Sequence, residues 1–125
     1  MSTVLDAGAW VAVDKRDRTV GAMLRVLQRD EVPVLTSAGA VAQVWRDGRR
    51  QANLARVLLG VDVLPLDDVR AKKVGELLRE NRTDDIVDAH VALLVQPDDH
   101  VLTSDEPDIK ALLRTRRVKA TIIRV

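Results

Sequence analysis

Val4-Leu5-Asp6-Ala7-Gly8-Ala9-Trp10-Val11-Ala12-Val13 holds one polar side chain among nine small or apolar ones. A short apolar strand that passes straight into an apolar helix is the opening of a strand–helix unit, and Asp6 sits at the junction. Asp is among the best helix N-caps, a role that leaves its second carboxylate oxygen available. The same alternation recurs along the chain. Thr19 to Gln28 places Val20, Met23, Leu24 and Leu27 at helical spacing. Val32 to Leu35 reads as a second strand, and Thr36-Ser37 cap a helix over Ala38 to Asp47 that stops at Gly48. A helix over Gln51 to Leu59, a strand over Val61 to Leu66 and a helix capped by Asp67 or Asp68 and running to Glu80 follow. The segment opening at Thr83 to Asp85 predicts a helix to Val95, then a strand His100 to Thr103, a helix Glu106 to Thr115 and a strand Val118 to Val125.

Strands that are continuously apolar and alternate with helices require crossover connections, hence a mainly parallel five-stranded sheet covered on both faces: a three-layer α/β/α fold. No linker divides residues 1–125, so one domain is expected. Such folds bind their ligands at the carboxyl ends of the strands. The residues after the first and fourth strands therefore matter most.

Composition narrows the chemistry. The 125 residues hold 20 Lys and Arg against 19 Asp and Glu, a net charge of +1, and no cysteine. A hydrophobic share of 46% excludes a disordered tail, and the lack of cysteine excludes disulfide scaffolds, Cys-ligated zinc modules and thiol enzymes. No apolar run approaches membrane-spanning length and no signal-like segment opens the chain, so a soluble, cytoplasmic protein is expected. A charge balance near zero argues against a general polyanion binder and puts any nucleic-acid contact on a local patch. Fifteen of the nineteen acids are Asp. Most serve as caps and turns, but three stand isolated in apolar runs or at a strand end.

Asp6 is the first. Asp88, in Ile86-Val87-Asp88-Ala89-His90-Val91-Ala92-Leu93-Leu94-Val95, falls in a helix that is apolar nearly all round and is expected inside, where a lone carboxylate is costly without a cation or donors. Asp85 lies one turn earlier on the same face, and Asp88 also fits the third helical position after an Asp85 cap. Asp105, in Val101-Leu102-Thr103-Ser104-Asp105-Glu106-Pro107-Asp108, follows the fourth strand and by itself reads as an ordinary cap. The topology sets Asp6 and Asp105 at the ends of adjacent strands. Gln43 is similarly isolated, in Ala38-Gly39-Ala40-Val41-Ala42-Gln43-Val44-Trp45, and is expected to be a buried amide. His90 faces away from Asp88, and the two histidines of the chain do not look like metal ligands. Gathered carboxylates without Cys or His favour Mg²⁺ or Mn²⁺ and phosphodiester chemistry. Other strand-end Asp enzymes fit less well: Gly8 stands where a dehalogenase-like phosphatase wants a second Asp, and no Gly-rich phosphate loop with Lys is present.

At these residues the chain resembles the PIN-domain nucleases, and among them the VapC toxins of bacterial toxin–antitoxin pairs. The matching pieces are Val4-Leu5-Asp6-Ala7, Val41-Ala42-Gln43-Val44-Trp45-Arg46-Asp47-Gly48, Asp85-Ile86-Val87-Asp88-Ala89 and Leu102-Thr103-Ser104-Asp105, in order over essentially the whole chain. The resemblance implies a PIN-like fold and a Mg²⁺- or Mn²⁺-dependent endoribonuclease. It places Asp6, Asp88 and Asp105 at catalytic and metal positions, with Asp85 as an auxiliary acid and Thr103 as an accompanying hydroxyl. It also implies an RNA substrate, a VapB-like antitoxin partner and a homodimer. Gln43 stands where the family usually has Glu; an amide oxygen still ligates metal or water but has no charge and cannot act as a base. A weakened or inactive domain that binds RNA or antitoxin without cutting is the alternative. Arg46, read as one turn beyond Gln43, with Arg49 and Arg50, is the expected RNA-binding cluster; Arg114, Arg116, Arg117 and Lys119 form a second one. Trp10 and Trp45 both sit in core-like runs, which leaves little for base stacking.

Overall fold

In the computed structural model, which describes residues 1–125, Thr3–Leu5 forms strand β1 at the centre of the sheet and is buried throughout. The chain continues through helices α1 (Ala7–Asp14) and α2 (Arg18–Arg29), strand β2 (Val34–Ser37), helices α3 (Ala38–Val44) and α4 (Ala52–Leu58), and strand β3 (Asp62–Leu64). Helices α5 (Asp68–Asn81) and α6 (Ile86–Leu94), strand β4 (His100–Thr103), helix α7 (Glu106–Arg116) and strand β5 (Thr121–Arg124) complete it. The strand order is β3-β2-β1-β4-β5, and every neighbouring pair is parallel. Helices α5, α6 and α7 pack together on one face, and α1 packs with α2, α3 and α4 on the other. The three-layer α/β/α arrangement is thus present, with a sheet that is wholly rather than mainly parallel.

The core explains the order. Val4, Leu5, Trp10, Val101, Leu102 and Ile109 are at most 1% exposed, so the two central strands are sealed on both faces, as parallel strands must be. The polar groups brought inside are paired locally. Trp10 Nε1 donates to Thr36 Oγ1 at 2.9 Å, and that hydroxyl donates to the Leu5 carbonyl at 2.7 Å. Register pairs Leu5 with Thr36 on one side and with Leu102 on the other, so Asp6 emerges level with Ser37 and Thr103.

Two expectations change here. The second strand lies two residues later than its apolar run implies, because Thr36 and Ser37 extend the ladder and Ser37 Oγ also caps α3 by accepting from Gly39 N–H at 3.0 Å. The third helix ends at Val44 rather than Asp47. Trp45 is extended, and the buried Gln51 side chain takes the amides that a longer helix would have used, accepting from Arg46 N–H at 2.7 Å and Asp47 N–H at 3.0 Å. Its amide nitrogen donates to the Val44 carbonyl at 2.9 Å.

Arg116 overturns a third expectation. Instead of facing RNA, it lies half-buried and Nη1 donates to the Ala92 and Val95 carbonyls, at 2.6 and 2.7 Å, satisfying the carboxyl end of α6. Burial holds its pKa below the usual arginine value. Replacing Arg116 by Leu strands these carbonyls, so urea denaturation of the Arg116→Leu protein should show a loss of about 1–3 kcal/mol.

Candidate metal centre

Asp6 follows β1 and starts α1. Its Oδ1 accepts from Ala7 N–H at 2.7 Å, so the capping role is real, but only one oxygen serves it. Oδ2 accepts a 2.7 Å hydrogen bond from Thr103 Oγ1, at the end of the neighbouring strand β4. The same hydroxyl accepts from Asp105 N–H at 2.9 Å. One threonine thus ties the carboxylate after β1 to the backbone that presents the acid after β4.

Asp88 arrives from the opposite face. Asp85 caps α6 by accepting from Asp88 N–H at 2.9 Å, which sets the Asp88 side chain in the first helical turn, where it is 5% exposed. Asp105 stands at the N-cap position of α7, yet its carboxylate makes no capping bond and is exposed. Ligand atoms of Asp6, Asp88 and Asp105 all lie within 4.8 Å of one another. Asp85 is not one of the three; its Oδ1 caps α6.

Three carboxylates this close cannot all ionise freely. Burial raises the Asp6 pKa, opposed by the Thr103 hydroxyl and the Ala7 amide and reinforced by Asp105 and Asp85. Asp88 has no such donors: burial first, then the charges of Asp6, Asp85, Asp105 and Asp108, push it up to about 7. A buried carboxylate with no donor, facing two others, suits a hard divalent cation held by oxygen ligands. The donor set contains no sulfur or imidazole. His90, two residues on, is turned away and buried, with Nδ1 2.7 Å from Ser37 Oγ. Burial, then the positive Arg70, push its pKa down against the pull of Asp67, and Nε2 has no partner.

Other candidate residues are less gathered. Gln43 is exposed on α3 rather than buried, and Trp45 is 38% exposed. Of the run Ala38 to Trp45, Ala40 is buried outright, Val41 and Val44 pack half-buried against the core, and Ala42, Gln43 and Trp45 are exposed. Because α3 stops at Val44, Arg46 does not share a helical face with Gln43. It folds back instead, donating through Nη1 to the Ala42 carbonyl at 3.0 Å and the Trp45 carbonyl at 2.7 Å. Arg49 and Arg50 are exposed in the α3–α4 connection. The Ser37–His90 pair escaped the sequence reading because its partners lie 53 residues apart, and the tie through Gln51, only four to seven residues long, escaped it because Gln51 reads as the first residue of the next helix.

No family model matches the chain, and no curated protein matches it in sequence. A solved structure does share its fold: the crystal structure of VapBC2 from Rickettsia felis bound to a DNA fragment from their promoter. The likeness covers 100% of this chain and 99% of that one, with a TM-score of 0.67 and 14% sequence identity. The fold is PIN-like. At that identity the PIN-like scaffold is shared while most side chains differ, so the chemistry rests on the acids described above.

Those acids set a pH dependence. Asp88 has an ordinary pKa of 3.8 and one of about 7 in the folded protein, so folding takes up a proton between these values. The metal-free protein therefore loses stability as pH rises through that window. The Asp88→Asn protein should melt above the parent at pH 8 and level with it at pH 4. Thermal unfolding in a chelator checks this; an equal gap at both pH values would show that the charge is not responsible.

Proposed function

We propose that the chain is a Mg²⁺- or Mn²⁺-dependent endoribonuclease, the VapC-like toxin of a toxin–antitoxin pair, working in the cytoplasm as one PIN-like domain over residues 1–125. The observation that carries the proposal is the convergence of Asp88, in the first turn of α6, on Asp6 and Asp105 at the carboxyl ends of adjacent strands, with the Asp88 carboxylate lacking any donor. The motif resemblance to VapC toxins and the fold shared with a VapBC2 structure support it.

In this reading Asp6, Asp88 and Asp105 hold the cation, and Thr103 orients the first and the last of them. When bound, a divalent ion lowers the pKa of its water and offsets charge on the phosphodiester oxygens. Arg46, Arg49 and Arg50 supply positive charge for the RNA backbone. Gln43 contributes at most a neutral oxygen. A separate groove fits the antitoxin. A cavity of about 670 Å³ between α2 and α4 has Arg16, Arg18, Arg25 and Arg56 over an apolar floor that includes Leu24 and Val57. Exposed Val69 and Ile86 offer surface for a homodimer. No helix is long and apolar enough to cross a membrane.

Incubation of RNA with the purified chain should give cleavage that needs Mn²⁺ or Mg²⁺ and stops with a chelator. Loss of a ligand should exceed the roughly 10- to 100-fold cost typical of removing an outer-shell partner, so Asp6→Ala and Asp88→Ala should each lower the rate by more than about 100-fold. Cleavage that persists in both variants overturns the proposal.

The neutral amide of Gln43 favours a second reading, a domain that binds RNA or antitoxin without cutting. The two part on Gln43→Glu. In a nuclease the added carboxylate strengthens metal binding and cleavage; in a binding module the substitution leaves RNA uncut with any divalent ion.

A further inference from the structure

Gly8 is the second residue of α1, two beyond Asp6. A Cβ placed on it would overlap Ser104 Oγ and would lie 2.7 Å from Ser104 Cβ and 2.8 Å from the Ser104 backbone nitrogen. No glycine of the chain has a positive φ, so space rather than backbone conformation calls for glycine here. Helix propensity alone favours Ala at this position. The Ser104 side chain occupies the volume that a side chain at position 8 would take.

Ser104 is the single residue between Thr103, which donates to Asp6 Oδ2, and Asp105, whose N–H returns to the Thr103 hydroxyl. Moving the Ser104 nitrogen from 2.8 Å to an ordinary contact of 3.4 Å displaces this loop by 0.6 Å. Functional constellations tolerate errors of only about 0.5 Å. A methyl group at position 8 therefore pushes on the one segment that carries Asp105 and anchors it to Asp6.

We propose that Gly8 is a positioning residue: its missing side chain lets Ser104 seat against the first turn of α1, and this contact holds Asp105 within reach of Asp6 and Asp88. The consequence for metal binding rests on reading the three acids as a cation site. The packing of Gly8 on Ser104 does not.

The test uses the full chain and the variants Gly8→Ala, Ser104→Gly and the double substitution. Hydrogen exchange of the Asp105 amide is followed by NMR in metal-free protein, and Mn²⁺ binding is followed by calorimetry. In Gly8→Ala the Asp105 amide should lose protection and Mn²⁺ affinity should fall about 10- to 100-fold, the usual cost of disturbing a ligand's support. In the Ser104→Gly background the Gly8→Ala change should cost less but still something, because the Oγ and Cβ contacts are gone while the Ser104 backbone nitrogen stays. A Gly8→Ala protein that fails to fold while the double variant folds supports the pairing as well. The proposal is overturned if Gly8→Ala keeps parental Asp105 protection, if its loss of affinity is equal in both backgrounds, or if neither protein folds. A parent chain that binds no Mn²⁺ while the Asp105 amide still responds overturns the cation site alone and leaves the positioning contact standing.

Discussion

The hydrogen bond from the Thr103 hydroxyl to Asp6 Oδ2, 2.7 Å long and fully buried, closes the seam between the two central strands. It depends on the register that pairs Leu5 with Leu102, and through the Asp105 amide it extends to the start of α7. Because β1 and β4 are adjacent but far apart in sequence, this bond spans 97 residues. It converts a sheet topology into the placement of two carboxylates. Asp88 needs only α6 to lie against the same edge, which its apolar length, from buried Ala89 to buried Leu94, secures.

The cluster opposes the fold that holds it. Burial and mutual repulsion raise the pKa of Asp6 and push that of Asp88 up to about 7, a cost that protonation or a counter-cation relieves. The surrounding core has little slack to spread them. Trp10, Leu5 and Leu102 are essentially inaccessible to solvent, and the neighbouring polar side chains Thr36, Ser37 and Thr103 are already engaged in hydrogen bonds. Rigid elements on three sides keep like charges together. This is how a site can be preorganised for a ligand that neutralises it.

Much of this was legible before the structure. Asp6 and Asp88 stand out as single charges in apolar runs, and the alternation of strands and helices leads to adjacent strand ends for Asp6 and Asp105. Asp105 illustrates the opposite case: its local sequence reads as a cap, yet its carboxylate makes no capping bond. Gln43 and Trp45 misled because an all-round apolar helix of Ala, Gly and Val resembles a buried one, whereas small side chains also suit a helix covered on one side. Arg116 misled because its charge suggested solvent or phosphate, and the carbonyls that hold it belong to α6, more than 20 residues away.

By itself, the sequence determined the order of strands and helices and the two acids that stand alone in apolar runs, because hydrophobic period and capping chemistry are local. Tertiary structure alone decided which polar groups meet. The Thr103 bridge, the Ser37–His90 pair, the hold of Arg116 on the end of α6 and the space beside Gly8 that Ser104 fills all join residues distant in the chain. Such contacts follow from strand register and close packing, which arise only once the whole sheet is assembled.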